Sequence, residues 1–290
     1  MAVVSLREML EDARRGGYAV PLFDTQNMAM IRSAVQVAEE ENSPVIIAGV
    51  EFDYEGDRLD YWMALANRAA IGAKVPVCIM LDHVASLELC VRCADAGFTG
   101  VMIDASALPF EENAELTRRV CEQMRRRGVG VEAELGHVGV ASAGGEGELG
   151  DHAGAGMVYT EPGRVAEFVG RSGCDALAVS IGTAHGVYAT APELQIGLLD
   201  EINRVSPVPL VLHGGSGTPE DQIRAAIRHG IAKINICSEI MDAWHRTVVA
   251  ELGKSPNYSV HNSAVCRPAD EAVREVMRNK IRLFGSGRRG

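Results

Sequence analysis

The chain has 290 residues, of which 47% are hydrophobic and 23% charged, and its formal net charge is −11 at pH 7. This composition is that of an ordinary globular protein and excludes disorder for the bulk of the chain. Nucleic-acid binders normally carry a basic face, so the acidic balance argues against a nucleic-acid partner. No apolar run approaches the roughly 20 residues that a bilayer-spanning helix requires, so no membrane partner is expected.

Eight short runs rich in valine, isoleucine and leucine recur along the chain, each followed by a turn and an amphipathic helical segment. The eight predicted strands are Tyr18–Asp24, Pro44–Gly49, Val75–Leu81, Gly100–Asp104, Val129–Leu135, Asp175–Ile181, Pro209–His213 and Ala232–Cys237. Nearly continuous hydrophobicity is typical of parallel strands buried on both faces. The cycle predicts an α/β fold, a single-domain (β/α)8 TIM barrel over residues 1–290. A doubly wound open sheet is the structural alternative.

Two segments interrupt this cycle. Residues 136–156 are rich in glycine and poor in apolar bulk, which predicts a mobile loop after the fifth strand, and such loops are usually functional. Residues 145–150 match GxGxxG by letter, but no strand leads into them and no helix follows, so dinucleotide binding is not expected. Residues 253–268 are predicted to link the barrel to a C-terminal helical extension around residues 270–284.

The seven cysteines are odd in number and scattered through apolar segments, which is not the pattern of a disulfide framework. Cys90 and Cys93 form a CxxC pair inside the predicted helix Leu87–Ala96, with no second pair to complete a zinc site. We therefore expect reduced thiols. The chain also begins without a charged leader followed by an apolar stretch, and the expected location is cytoplasmic.

Three histidines, His83, His185 and His213, come just past the ends of the third, sixth and seventh predicted strands. In a barrel these ends open onto the face where active sites are built. Three imidazoles around one divalent ion leave a coordination position for a substrate oxygen, so the trio predicts a catalytic metal site. The other five histidines are interpreted as surface residues: His137, His152, His229, His245 and His261.

Four acidic residues belong to the same face: Asp82, Asp104, Glu132 and Glu134. Glu132 and Glu134 alternate along one strand, so both point to the same side. Such carboxylates could support the metal, and Asp82, next to a ligand, could move a proton. For Asp104 and Glu132 the alternative is that the carboxylate merely orients a histidine or caps a helix.

The turns after the seventh and eighth strands, His213–Gly217 and Asn235–Ser238, combine glycines with hydroxyl and amide side chains. Backbone N–H groups and helix N-termini at such turns suit an anion, and barrels usually hold phosphate there. The alternative is two ordinary strand-to-helix turns capped by Ser216 and Ser238. A metal beside a phosphate pocket predicts a phosphorylated substrate and suits carbon–carbon cleavage next to a carbonyl.

Six motifs in order resemble the class II, metal-dependent ketose-bisphosphate aldolases, which include fructose- and tagatose-bisphosphate aldolases. They are Ile79–His83, Met102–Ser106, Val131–Gly136, Ala178–Gly186, Pro209–Gly217 and Lys233–Ile236. The resemblance extends from the helix that opens at Val4 to Ile281, nearly the whole chain. It implies a TIM barrel that reversibly cleaves a ketose (bis)phosphate to dihydroxyacetone phosphate and an aldehyde.

The resemblance also implies roles for individual residues. His83, His185 and His213 would bind a catalytic zinc, and Asp82 would be the acid/base for the substrate C4 hydroxyl. Glu146 or Glu148 on the loop would move the proton at the dihydroxyacetone-phosphate carbon. The further matching residues are Asp104 and Glu134 for an additional metal, Gly186, Gly214, Gly215, Ser216, Asn235 and Ser238 for dihydroxyacetone phosphate, and Arg278 for a second phosphate from a neighbouring subunit. A second divalent or monovalent cation and a homodimer or homotetramer are typical of the family.

Two departures concern the acceptor half of the substrate. Asp24 stands at a substrate-facing position where the family usually has asparagine, and Glu51 lies where bisphosphate aldolases have a serine and small residues. Carboxylates there would oppose a phosphorylated acceptor. Two readings remain: an aldolase, or a non-standard member that binds sugar phosphates with a metal or uses a non-phosphorylated aldehyde.

Overall fold

The computed structural model describes residues 3–140 and 156–290. Eight parallel strands close into a barrel in chain order, and the last strand pairs with the first. The barrel strands are β1 Val20–Asp24, β2 Val45–Gly49, β3 Val77–Val84, β4 Gly100–Ile103, β5 Gly130–Leu135, β7 Ala176–Val179, β9 Leu210–Leu212 and β10 Ile231–Ile236. The bounds of each predicted strand agree with those of an observed strand to within a few residues. The predicted barrel is therefore confirmed, and the alternative of an open sheet is wrong.

Helices follow the strands and surround the barrel. Their bounds are α1 Leu6–Gly16, α2 Met28–Glu41, α3 Arg58–Ala70, α4 Leu87–Ala96, α5 Phe110–Arg125, α6 Pro162–Ser172, α7 Ile196–Val205, α8 Glu220–Arg228, α9 Ser238–Leu252 and α10 Asn262–Phe284, with a 3-10 turn over Glu51–Tyr54. No helix among the described residues is both long and apolar enough to cross a membrane.

The apolar interior has two layers. Strand side chains that point outward pack against the surrounding helices and form the larger core. A smaller cluster fills the barrel itself, where Leu22, Ile46 and Met80 meet Leu6 and Leu10 of α1. Helix α1 therefore closes the end of the barrel at which the strands begin, and it starts cleanly because the Ser5 hydroxyl accepts from the N–H of Glu8. The candidate site lies at the opposite end of the barrel, at which the strands finish.

Two short strands, β6 Gly139–Val140 and β8 Ala184–His185, pair beside the barrel mouth. His137 also pairs with Val158 in an antiparallel bridge. Residues 136–156 were predicted to form one loop, but within them Gly139–Val140 form the strand β6. Residues 141–155, with Glu146, Glu148 and His152, lie outside the described residues.

Helix α10 begins at Asn262, well before the expected start near residue 270, and it contains Pro268. The proline suggested a break because it lacks an N–H and crowds the preceding turn. Packing outweighs that cost: Val265, Ala269 and Val273 recur every four residues and are all buried on one face.

Candidate active site

The three predicted histidines converge at the mouth of the barrel. His83 lies in β3, His185 in β8 and His213 directly after β9. Their ring centroids are 4.5 to 5.7 Å apart, and one ring nitrogen from each lies within 4.8 Å of the others. His83 Nε2 is only 2.8 Å from His213 Nδ1. Three nitrogens this close together can ligate one ion.

His83 reaches this position through an irregular strand. Its φ is +35°, which is uncommon for a residue with a side chain, and the pairing of β3 with β4 shifts register between Leu81 and Val84. Consecutive side chains of a regular strand point to opposite faces, whereas a bulge re-aims one of them. Asp82 and His83 can thus both serve the barrel mouth. The strained backbone of His83 therefore lies at the candidate site, and such strain is typical of functional sites.

A buried carboxylate orients His213. The Nε2 of His213 donates to Glu132 Oε1 at 2.8 Å, and the Lys233 ammonium lies 2.8 Å from Glu132 Oε2. All three side chains are fully buried. The bond to Glu132 fixes the ring and leaves Nδ1 facing the other histidines, as in the carboxylate–histidine pairs of metal sites.

His83 is oriented in the same way from the other side. Its Nδ1 donates to Asp104 Oδ2 at 2.9 Å, while Asp104 Oδ1 accepts from the backbone N–H of Ser106 at 3.0 Å. Glu134 is buried beside them and accepts from the N–H of Val138 at 2.8 Å. His83, Asp104 and Glu134 have ligand atoms within 4.8 Å of one another, so they form a second group that could hold a cation.

Charge at the site favours a cation. Burial lowers the pKa of His83, yet the surrounding carboxylates, chiefly Asp82 and Asp104, outweigh it and raise that pKa to about 10. Burial, together with the positive neighbours His83 and Lys233, holds the pKa of His213 well below its usual value. Burial and the Asp104 carboxylate raise the pKa of Glu134. The negative potential is concentrated at His83, where an ion would replace a proton.

Asp82 is nearly fully buried next to the histidines. Its Oδ2 accepts from Asn235 Nδ2 at 2.8 Å, and the same amide nitrogen lies 3.2 Å from His213 Nδ1. Within residues 3–140 and 156–290, Asp82 Oδ1 and Asn235 Oδ1 are buried without a hydrogen-bond partner. Buried polar atoms are normally satisfied. These two oxygens, beside three imidazoles, are therefore what a site for a metal and a polar substrate would offer.

The predicted phosphate turns have the close approach that glycine permits. A Cβ on Gly214, whose φ is +65°, would lie 2.4 Å from the carbonyl oxygen of Ala184, and a Cβ on Gly215 would lie 2.4 Å from Ile234. Gly186 also has a positive φ, and Ser238 is the first residue of α9. The Ser216 hydroxyl accepts from the N–H of Cys237, so it joins the two turns instead of capping the helix that follows its own turn.

Tyr188 connects the turn after β9 to the strand that contains His185 through two hydrogen bonds. Its hydroxyl accepts from the N–H of Ala184 at 2.8 Å and donates to the carbonyl of Gly214 at 2.9 Å. Sequence reasoning missed this residue because a tyrosine in a loop gives no periodic signal. It missed Lys233 as well, although a lysine inside a buried strand demands a buried carboxylate partner.

The residues predicted to face the acceptor half of the substrate differ in their positions relative to the barrel interior. Asp24 is buried at the end of β1, and because Leu22 is in register with Asn235, Asp24 points to the same interior side. Glu51 is exposed at the start of the 3-10 turn. Arg278 donates to Glu275 and to Glu40 on α2, so within its own chain it is held on the outer helices.

One interpretation from the sequence is wrong. His137 was taken as a surface residue, but it is buried and its Nδ1 lies 2.8 Å from the Ser106 hydroxyl. Backbone pairing with Val158 places His137 in the interior. The glycine-rich sequence around His137 did not indicate this burial. Cys90 and Cys93 lie buried in α4, and burial raises the pKa of both thiols, so they stay protonated.

Comparisons with known proteins match the whole chain to one family. The family model described as "Fructose-bisphosphate aldolase class-II" covers residues 4–289. A fructose-bisphosphate aldolase from Geobacillus stearothermophilus is 40% identical over 289 residues, which are 99% of this chain and 98% of that protein. The solved structure of the YdjI aldolase from Escherichia coli K12 is similar with a TM-score of 0.84 and 35% identity, over 98% of each chain.

Proposed function

The chain belongs to the class II fructose-bisphosphate aldolase family, and we propose that it is a zinc-dependent aldolase that reversibly cleaves a ketose phosphate to dihydroxyacetone phosphate and an aldehyde. The family is metal-dependent, and its reaction is this carbon–carbon cleavage of a sugar phosphate. The observation that carries the proposal is the convergence of three histidine nitrogens within 4.8 Å beside the buried Asp82.

His83, His185 and His213 would hold the zinc. When bound, the metal polarises the substrate carbonyl and stabilises the negative charge that develops during cleavage. Asp104 and Glu134 would support an additional cation, divalent or monovalent, since they form a buried group with His83. Nitrogen ligands favour zinc, whereas the two carboxylates suit a harder ion.

Asp82 would remove the proton from the C4 hydroxyl during cleavage and return it during condensation. Asn235 holds one carboxylate oxygen at 2.8 Å, and the other has no partner among the described residues. That second oxygen is the one available to the substrate. A positioned base of this kind must lie within hydrogen-bond reach of the proton that it takes.

The donor phosphate would lie at the turns after β9 and β10, against Gly186, Gly214, Gly215, Ser216 and Ser238. Asn235 would contact the donor from the adjacent strand. Support comes from the close backbone approach at Gly214 and Gly215 and from the start of α9 at Ser238. Glu146 or Glu148, in the loop outside the described residues, would move the proton at the donor carbon.

We propose further that the preferred aldehyde carries no phosphate near Asp24. The buried carboxylate lies on the interior side shared with Asn235, where a phosphate dianion would be repelled and a hydroxyl or ammonium group could donate to it. Comparison of kcat/KM for fructose 1,6-bisphosphate, tagatose 1,6-bisphosphate and ketose 1-phosphates tests this. We expect the ketose 1-phosphates to be cleaved best, and to lose that advantage in Asp24→Asn. A bisphosphate cleaved best by the wild-type chain would contradict it.

A homodimer or homotetramer in the cytoplasm completes the proposal. Val249 and Tyr258, about 70% exposed near the end of α9, offer apolar surface, and Arg278 would then reach a neighbouring site. The seven cysteines are thiols, which suits a reducing compartment. Sedimentation equilibrium measures the oligomer, and a monomer at micromolar concentration would contradict it.

The experiment for the activity is direct detection of both products. A ketose phosphate is incubated with the zinc-loaded chain, and dihydroxyacetone phosphate and the aldehyde are measured in equal amounts. Asp82→Ala, which retains the histidines, serves as the matched control. Tight binding of the sugar phosphate without product would favour the alternative of a metal-dependent binder.

A further inference from the structure

An ion pair between the buried Lys280 and the half-buried Glu239 lies behind the proposed donor-phosphate turn. Glu239, in the first turn of α9, uses one carboxylate oxygen, Oε1, for two bonds: it accepts from the backbone N–H of Gly217 at 2.6 Å and from the Lys280 ammonium at 2.6 Å. Lys280 comes from α10 and is only 9% exposed. The C-terminal helix thus contributes one buried charge to the turn after β9.

This carboxylate fixes the shape of the turn. Gly217 has a φ of +73°, and its N–H is directed to Glu239 rather than to solvent. The neighbouring Ser216 hydroxyl accepts in turn from the backbone N–H of Glu239 at 3.4 Å. Two bonds in opposite directions therefore join the turn to the start of α9. This connection holds Ser216 and Gly217, at the end of the turn that would receive the phosphate, against the start of α9.

The same carboxylate creates an electrostatic problem. A unit negative charge next to a phosphate site opposes a dianion over several ångströms. Lys280 removes this problem because its ammonium contacts the very oxygen that holds Gly217. Glu239 can then shape the turn without making it repulsive.

We infer that Lys280 is a positioning residue for the donor phosphate, which acts through Glu239 and sets the affinity of the turn for a phosphate dianion. The inference rests on the proposed function, because it takes the turn after β9 as the donor-phosphate site. It assigns to the C-terminal helix a part in substrate binding that does not require a neighbouring subunit.

The test measures the affinities of dihydroxyacetone phosphate, inorganic phosphate and uncharged dihydroxyacetone for zinc-loaded protein. Lys280→Met leaves Glu239 unneutralised and should weaken both phosphate ligands about tenfold, the scale of one added charge several ångströms away. Lys280→Arg should retain the wild-type affinity, and Lys280→Met should raise KM more than it lowers kcat. Dihydroxyacetone should bind all variants alike. Arg282→Met is the matched control, because it removes a positive charge from the same helix at a residue that pairs with Glu41. It should leave the three affinities unchanged.

The double variant separates charge from structure. Glu239→Gln should bind phosphate at least as well as wild type, and Glu239→Gln/Lys280→Met should return to within about threefold of wild type, since neither leaves an unpaired carboxylate. A purely structural role would make the double variant the weakest of all, and that order would overturn the inference. Where Lys280→Met does not fold, Glu239→Gln and the double variant carry the same comparison.

The two proposals fail in different ways. A wild-type chain that binds zinc but no dihydroxyacetone phosphate would overturn both. A wild-type chain that cleaves a ketose phosphate, with phosphate affinity unchanged in Lys280→Met, would overturn this inference and leave the aldolase function intact.

Discussion

Replacement of Glu132 by glutamine separates two roles of one carboxylate. Glu132 accepts from His213 Nε2 and neutralises Lys233, and no part of these three side chains reaches solvent. Glutamine has the same shape but no charge. It leaves the Lys233 ammonium buried without a counter-ion, and it holds His213 through a neutral amide.

The expected magnitudes differ for the two roles. Breaking a buried ion pair by removing one partner costs about 3–5 kcal/mol in the free energy of unfolding. Loss of a carboxylate that orients a metal-binding histidine costs about 10–100-fold in metal affinity. The second variant, Glu132→Gln/Lys233→Met, removes both buried charges, so it should recover most of the stability and none of the zinc affinity.

Two assays resolve these effects. Urea unfolding of the metal-free protein gives the stability, and competition with a zinc indicator gives the affinity. If Glu132→Gln lost less than about 1 kcal/mol of stability, Glu132 would not neutralise Lys233 in the way described. If Glu132→Gln bound zinc as tightly as wild type, Glu132 would not orient His213. Recovery of zinc affinity in the double variant would also refute the argument.

Three further predictions concern the chemistry and its support. Asp82→Ala should lower the cleavage rate by roughly 10²–10⁴ with zinc content unchanged, as measured by product release and metal analysis; near-normal turnover would assign the proton transfer to another group. Tyr188→Phe removes the partner of the Ala184 N–H, while the Gly214 carbonyl keeps its bond from Thr218, so urea unfolding should show a loss of about 0.5–1.5 kcal/mol, and an unchanged midpoint would contradict this. Glu146→Ala or Glu148→Ala should slow exchange of the donor's carbon-bound proton into solvent, followed by NMR; unaltered exchange in both would exclude the loop glutamates.

The barrel could be predicted because its signal is local and repeated. Each buried parallel strand is a short apolar run, and eight of them leave one closed arrangement that buries every strand on both sides. The residues at which helices begin and end were harder to predict. Helix α10 continues through Pro268 because the apolar face of α10 spans the proline, and a single-residue rule cannot weigh that packing.

The site was predictable as a set of residues but not as a network. Topology places the ends of β3 and β9 on one face, so His83 and His213 could be expected to meet. The partners of their second nitrogens depend on side-chain direction, and the bulge at His83 has no pattern in the sequence. Long-range pairs such as Lys280 with Glu239 join elements whose packing only the folded chain defines.

In the proposed function, the three histidines hold a metal that carbon–carbon cleavage requires. The most direct measurement removes the metal with a chelator, verifies its absence by elemental analysis, and follows release of dihydroxyacetone phosphate before and after zinc is returned. We predict loss of cleavage on removal and recovery at one zinc per chain, with no recovery in His213→Ala. Full cleavage by chain shown to be free of metal would contradict it.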